Sequence, residues 1–244
     1  MQAKDTHLIG HLEELRRRII ITMCGFILFL IVTMMFVPDL YSWLVRDYDG
    51  KLAVLGPSDI LWVYMTLASV FAIACTIPLA AYQTWKFVSP ALKEEEKQVT
   101  VKFIPGLFIL FILGICFGYF VLFPIVLGFL TGLSAGEFET MFTAQKYFVF
   151  MINLTLPFGF IFEMPLVVMF LTRLGILNPT RLKKARKVSY FALVVLSILI
   201  TPPDIVSDIL VIVPLLTLYE ISVSLSNFIY KKSIKYETGM QAQL

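Results

Sequence analysis

From Phe103 to Gly136 the chain runs 34 residues without one charged side chain. About 20 consecutive apolar residues suffice to cross a bilayer as a helix. Lipid admits only segments that satisfy their own backbone hydrogen bonds. Five other runs have the same character. Ile19–Val37 and Ile60–Trp85 carry no charge, and Tyr147–Thr172 carries only Glu163. Val188–Pro203 is uncharged over 16 residues, and Ile209–Tyr230 carries only Glu220. Hydrophobic residues make up 59% of the 244 and charged ones 15%, against about 45–50% and 25% in soluble domains. A soluble globular protein, a disordered tail and a nucleic-acid module are all excluded.

The pattern predicts an all-α polytopic membrane protein, a single integral membrane domain over residues 1–244 with spans near 19–37, 60–82, 103–124, 147–172, 188–201 and 208–228. The 34-residue run exceeds one span, so its helix is expected to end near Pro124, with Gly128, Gly132 and Gly136 in a loop. Pro38 and Asp39 are expected to close the first span. Ser58 and Asp59 are expected to cap the second. Ahead of the first span, Leu8, Leu12, Leu15 and Ile19 share one helical face. They predict a short N-terminal amphipathic helix on the membrane surface. The acids Asp5, Glu13 and Glu14 argue against a cleavable signal peptide.

Six spans place both termini on one side, and Lys and Arg decide which. The N-terminal segment, the 83–102 and 173–187 loops and the tail hold 17 basic residues; the alternate loops hold 3, Arg46, Lys51 and Lys146. Basic loops stay cytoplasmic, which predicts an N-in, C-in topology. The net charge of +3 conceals this polarity.

Enzymatic constellations are missing from the sequence. His7 and His11 are the only histidines, and no HExxH, GxSxG or phosphate-loop pattern occurs. Cys24, Cys75 and Cys116 stand alone in apolar runs, as packing residues do. Neither a metal nor a cofactor is expected. The informative polar groups are few. Glu163 lies ten residues before Arg173, about 15 Å along its helix. A carboxylate at that depth costs about 2.5–3.5 kcal/mol on the lenient insertion scale, so it must face protein, water or a partner. Its plain alternative is a protonated acid bonded to a neighbouring helix. Pro157 and Pro165 flank it and are both expected to bend the span. Glu220 reads as structural. Glu13, Glu14, Glu94, Glu95 and Glu96 lie on the basic side. They are either a solvated face with Glu13–Arg17 and Glu14–Arg18 helical pairs, or a receptor for cations. Carboxylates suit guanidinium groups best, because arginine binds them bidentately.

These residues fall in recognisable blocks. H-L-E-E-L-R-R-R (His11 to Arg18) resembles the N-terminal signature of the TatC family of the twin-arginine protein translocase. The likeness continues through Y-Q-T-W-K-F-V-S-P-A-L (Tyr82 to Leu92), G-Y-F-V-L-F-P (Gly118 to Pro124), F-G-F-I-F-E-M-P (Phe158 to Pro165) and L-I-T-P-P-D (Leu199 to Asp204). Among its members the chain is most similar to those of Bacillus-like Gram-positive bacteria.

The resemblance implies a concave, glove-shaped six-helix bundle in the bacterial cytoplasmic membrane, and a receptor rather than an enzyme. Its ligands would be twin-arginine signal peptides of folded cargo. Its partners would be single-helix TatA-type proteins, with TatB-type ones where present, and transport would draw on the proton-motive force. The resemblance also admits a homo-oligomer within the complex, and it implies no nucleic acid. By motif position it assigns signal-peptide binding to Glu14 and Glu96, with Arg16 and Phe87 beside them. It makes Glu163 the intramembrane carboxylate of the concave face and Asp204 an acid of the outer loop after the fifth helix. Glu13, Glu94 and Glu95 lie outside that set. The family's first-outer-loop proline is replaced here by Leu44-Val45-Arg46-Asp47, which carries no role over. The rival reading is a proton-coupled small-solute secondary transporter working through Glu163. It lacks visible repeat symmetry.

Overall fold

A computed structural model describes residues 2–46, 52–91, 97, 101, 103–133, 141–202 and 204–241. Their order is α1 (Gln2–Val45), α2 (Pro57–Val88), α3 (Phe103–Phe117), α4 (Phe123–Leu133), α5 (Ala144–Phe162), α6 (Met164–Arg173), α7 (Pro179–Ile200) and α8 (Ile205–Gln241). Five stretches are long and apolar enough to cross a membrane among the described residues: Gly10–Val45, Pro57–Val88, Phe103–Leu133, Ala144–Arg173 and Ile205–Lys231. The expected span 188–201 falls in α7, whose first turns carry Arg181, Lys183, Lys184, Arg186 and Lys187. The chain divides into two compact units, one of residues 1–108 with 141–150, the other of residues 109–140 with 151–244.

In the first unit, α1 and α2 pack antiparallel over Val37, Leu44, Val63, Leu67, Ala68 and Ala72, all buried. Leu79 packs over Gly25, where a Cβ would lie 2.2 Å from the movable Leu79 Cδ2. The expected surface helix is not separate. Residues 2–45 form one helix that passes straight through Pro38. In an apolar medium one lost proline hydrogen bond costs less than opening a whole helix end. Ser42 returns its hydroxyl to the Pro38 and Asp39 carbonyls at 3.0 and 2.9 Å. The cap of α2 also differs from expectation. Gly56 is the cap residue, Pro57 opens the helix, and Asp59 reaches back to accept from the Leu55 and Gly56 amides at 3.0 and 3.2 Å. The helix stops where Pro90 follows, in a single tight turn over Ser89–Ala91. At the end remote from the N-terminus, Ala53 exchanges backbone hydrogen bonds with Phe142 and Ala144, both 2.9 Å. Tyr41 lies against Tyr64 and Phe148 there, ring centroids 6.2 and 5.4 Å away.

In the second unit, the expected break at Pro124 does not occur. The helix widens into one π turn over Gly118–Leu122, the Phe123 amide bonds to the Gly118 carbonyl, and α4 continues to Leu133. A wide turn just before a proline relieves the clash its ring would make with the preceding turn. Gly128 and Gly132 are therefore helical, not loop. The G-I-C-F-G spacing of Gly114 and Gly118 sets α3 directly on α5, a small-residue contact typical of membrane helices. A Cβ on Gly118 would lie 2.8 Å from the Thr155 Cα. Helix α6 packs on α8, where the Thr172 and Ser226 hydroxyls meet at 2.7 Å.

The turn from α6 to α7 is governed by two residues. Gly175 takes φ +72°, and the Ile176 and Leu177 amides bond back to the Leu171 carbonyl at 3.0 and 3.1 Å. That closure of the last helical turn needs a left-handed residue, which glycine supplies. Asn178 then caps α7, its Oδ1 accepting from the Thr180 amide at 3.0 Å, with Pro179 in the first helical position.

Candidate functional site

At the N-terminal end of the α1–α2 pair, His11, Glu14 and Arg18 recur at i, i+3 and i+7, one face of α1. Gln83 and Phe87, at i and i+4, form the matching face of α2. The two meet in register. His11 stacks on Phe87 with ring centroids 4.4 Å apart and planes 24° from parallel. One turn along, the Arg18 guanidinium divides its arms. Nη2 donates to Glu14 Oε1 at 3.0 Å and Nη1 donates to Gln83 Oε1 at 3.2 Å. Tyr82 and Trp85 stack beside them at 5.9 Å.

Burial falls in sequence along this group. The Gln83 side lies in the core, the Arg18 side chain keeps 16% of its surface exposed and the Glu14 side chain 32%. Glu14 has no second partner among the described residues, so Oε2 is unengaged. The arrangement holds a carboxylate at the surface in one fixed orientation, with apolar rings next to it. Chemically, that is a seat for a planar cation followed by apolar chain.

Of the four residues that resemblance assigns to signal-peptide binding, Glu14 and Phe87 share this face. Arg16 is exposed and, two residues from both Glu14 and Arg18, projects from the opposite side of α1. Glu96, with Glu94 and Glu95, lies outside the described residues. The Glu14–Arg18 helical pair expected from spacing is present. His11, Arg18 and Gln83 were not singled out as site residues, although the i, i+3, i+7 and i, i+4 spacings within two of the motif blocks carry the signal.

The second candidate, Glu163, interrupts its helix. The α5 helix runs through Pro157 unbroken and stops at Phe162; Glu163 is a single turn residue, and α6 begins at Met164. Only Pro165 therefore breaks the span. It has no amide to offer the Ile161 carbonyl, whereas Leu166 and Val167 both bond to the Glu163 carbonyl at 3.1 and 3.0 Å and start a new helix. The carboxylate is partly buried, and its Oε1 is sealed from solvent without a hydrogen-bond partner among the described residues. Such an oxygen is costly to leave unmade.

Two further acids have structural tasks. Asp204 caps α8, its Oδ1 accepting from the Ser207 amide at 2.7 Å, while Thr201 donates to the carboxylate of Asp208. Glu220 is paired rather than buried. It receives Arg186 Nη2 at 2.6 Å and the Tyr190 hydroxyl at 2.5 Å, and the Tyr219 hydroxyl donates to the Leu182 carbonyl at 2.9 Å. These contacts fasten α7 to α8.

Comparison with known proteins shows the family. The family model described as "Sec-independent protein translocase protein (TatC)" matches residues 10–214. The chain is 69% identical over 242 residues to the Sec-independent protein translocase protein TatCd of Bacillus subtilis (strain 168), covering 99% of this chain and 100% of that one. It is 40% identical to TatCy of the same organism, covering 96% and 94%. Its fold is similar to the crystal structure of a twin arginine translocase receptor, TatC, with a TM-score of 0.80 and 31% identity over 90% of this chain and 99% of that one.

Proposed function

Because the chain belongs to the TatC family of Sec-independent protein translocase proteins, we propose that it is the receptor that seats twin-arginine signal peptides on Glu14 and Glu96. The chain is a multi-pass protein of the bacterial cytoplasmic membrane and a non-enzymatic subunit of a protein translocase. The solute-transporter reading finds no support. In the proposed topology α7 supplies the fifth of six spans, both termini are cytoplasmic, and residues 1–244 form a single integral membrane domain. The Glu14 face then lies in the cytoplasm.

The observation that carries the proposal is the fixed Glu14 carboxylate, held on one oxygen by Arg18 and open on the other. Each ionised carboxylate oxygen has two acceptor sites. Glu14 can thus keep Arg18 on its inner side and accept a peptide guanidinium from outside. Glu96 takes the second arginine. Phe87, stacked on His11, offers the adjoining apolar surface, and Arg16 sits at the margin. Glu163 is the intramembrane polar site of the receptor. Single-helix TatA-type partners, with TatB-type ones where present, assemble on the same bundle, and the proton-motive force drives passage. Asp204 stands in the outer loop after α7.

The test replaces Glu14 and Glu96 with Gln and measures binding of a twin-arginine peptide against its twin-lysine analogue. Loss of binding and of the preference for arginine is expected. Unchanged binding with the preference intact would sink the assignment.

A further inference from the structure

We infer that Arg18 and Gln83 are positioning residues, which act through Glu14 to set its preference for arginine over lysine. The inference rests on the receptor role proposed for Glu14 and adds the device that makes it selective. A glutamate on an exposed helix face samples many rotamers, and a mobile carboxylate accepts an ammonium as readily as a guanidinium. Glu14 is not free in this way. Its Oε1 is held at 3.0 Å by Arg18, whose other arm is tied at 3.2 Å to Gln83 on the neighbouring helix.

An i, i+4 ion pair alone is a weak surface interaction. Three observations set this one apart. The guanidinium bridges two helices, its side chain is only half as exposed as the carboxylate it holds, and the amide behind it lies in the core. Arg18 Nε is itself buried without a hydrogen-bond partner among the described residues. The group's place is therefore decided by its two outward arms. A planar fork holds its two acceptors in one fixed geometry; a lysine ammonium, a point charge with three rotating donors, fixes the plane of neither. The result is a carboxylate whose plane is fixed before the ligand arrives. A fixed plane favours the ligand that also presents a plane.

A competing effect has the opposite sign. Arg18 is a cation beside a site for cations, so removing it relieves repulsion. The two effects separate experimentally. In the full-length chain in membranes, binding of a twin-arginine peptide and its twin-lysine analogue is measured for the parent, Arg18→Gln, Arg18→Lys and Gln83→Leu, with thermal stability recorded for each. Arg18→Gln is expected to weaken the arginine peptide on the order of tenfold, the lower end for groups that orient a ligand-binding side chain at metal sites. The lysine peptide should change less, so the preference narrows. Arg18→Lys should behave like Arg18→Gln, and Gln83→Leu should shift the preference the same way. In Glu14→Gln, adding Arg18→Gln should do nothing more. A purely structural role would lower both affinities together and leave their ratio alone, which overturns the inference. Tighter binding in Arg18→Gln also overturns it, since repulsion then dominates. A parent protein with no preference, or a Glu14→Gln variant that keeps it, defeats the receptor role itself and the inference with it.

Discussion

The Cβ that Gly114 lacks would stand 2.4 Å from the Phe158 carbonyl oxygen and 2.8 Å from the Gly159 Cα. Both obstacles are backbone, so neither can swing aside as a side chain would. Gly114→Leu is expected to destabilise the chain by more than the about 1–3 kcal/mol usual for overpacking, because α3 must move bodily off α5. Gly128→Leu, at a helical glycine with open space around it, should be tolerated. Thermal melting of the two purified variants checks the contrast.

Gly175 makes a cleaner backbone test. Its φ of +72° and its empty surroundings mean that a methyl group meets no neighbour but forces an L-residue into the left-handed region. Gly175→Ala should cost about 1–2 kcal/mol, and Gly175→Asn less, since asparagine tolerates that conformation best after glycine. Melting temperatures of the two variants should rank in that order.

Glu220 joins α7 to α8 through two partners that are each left without their acceptor when it is removed. Glu220→Leu should destabilise, whereas Glu220→Gln keeps one acceptor oxygen for Tyr190. The ion pair itself is about two-fifths exposed, so solvent screening limits the Gln penalty to about 1 kcal/mol or less. Tyr190→Phe with Glu220→Gln, compared with each single variant, gives their coupling in a double-mutant cycle.

Glu163 gives the opposite expectation. Its Oε1 has no hydrogen-bond partner among the described residues, so Glu163→Ala orphans no group on that oxygen and should leave thermal stability near that of the parent. Export, or co-purification of single-helix partners, should fall sharply. A variant that loses stability but assembles normally would make Glu163 a structural residue.

Helix positions were legible in the sequence because lipid and charge leave little choice. Among the described residues each uncharged run falls mostly on helix, although Tyr147–Thr172 is divided at Glu163 and Val188–Pro203 outlasts α7. The Glu14–Arg18 pair follows from spacing alone. The misreadings share a cause. Whether the G-Y-F-V-L-F-P stretch ends a helix or widens into a π turn depends on Gly114 and Gly118 finding α5, a contact between segments far apart in the chain. Pro38 resembles a terminator locally, yet α1 continues along α2, where Val37 and Leu44 are buried on either side of it. In the candidate site, spacing puts Gln83 on the Phe87 face of α2 but does not supply its partner. An amide between Tyr82 and Thr84 means nothing until Arg18 arrives from α1. At Glu163 both prolines are legible, but only Pro165, which has no amide to offer the Ile161 carbonyl, divides the span.

The backbone exchange between Ala53 and the pair Phe142 and Ala144 also bears on the order of assembly. Its two sides are separated in the chain by α2, α3 and α4, so the ribosome must deliver all of them before the bonds can form. Until then the α1–α2 hairpin is fastened only by its own helix contacts, and that end stays open. Non-local closures of this kind come late in folding, after the local helices exist. The first two helices are thus a waiting scaffold, and the arrival of residues 141–144 is the event that latches their far end.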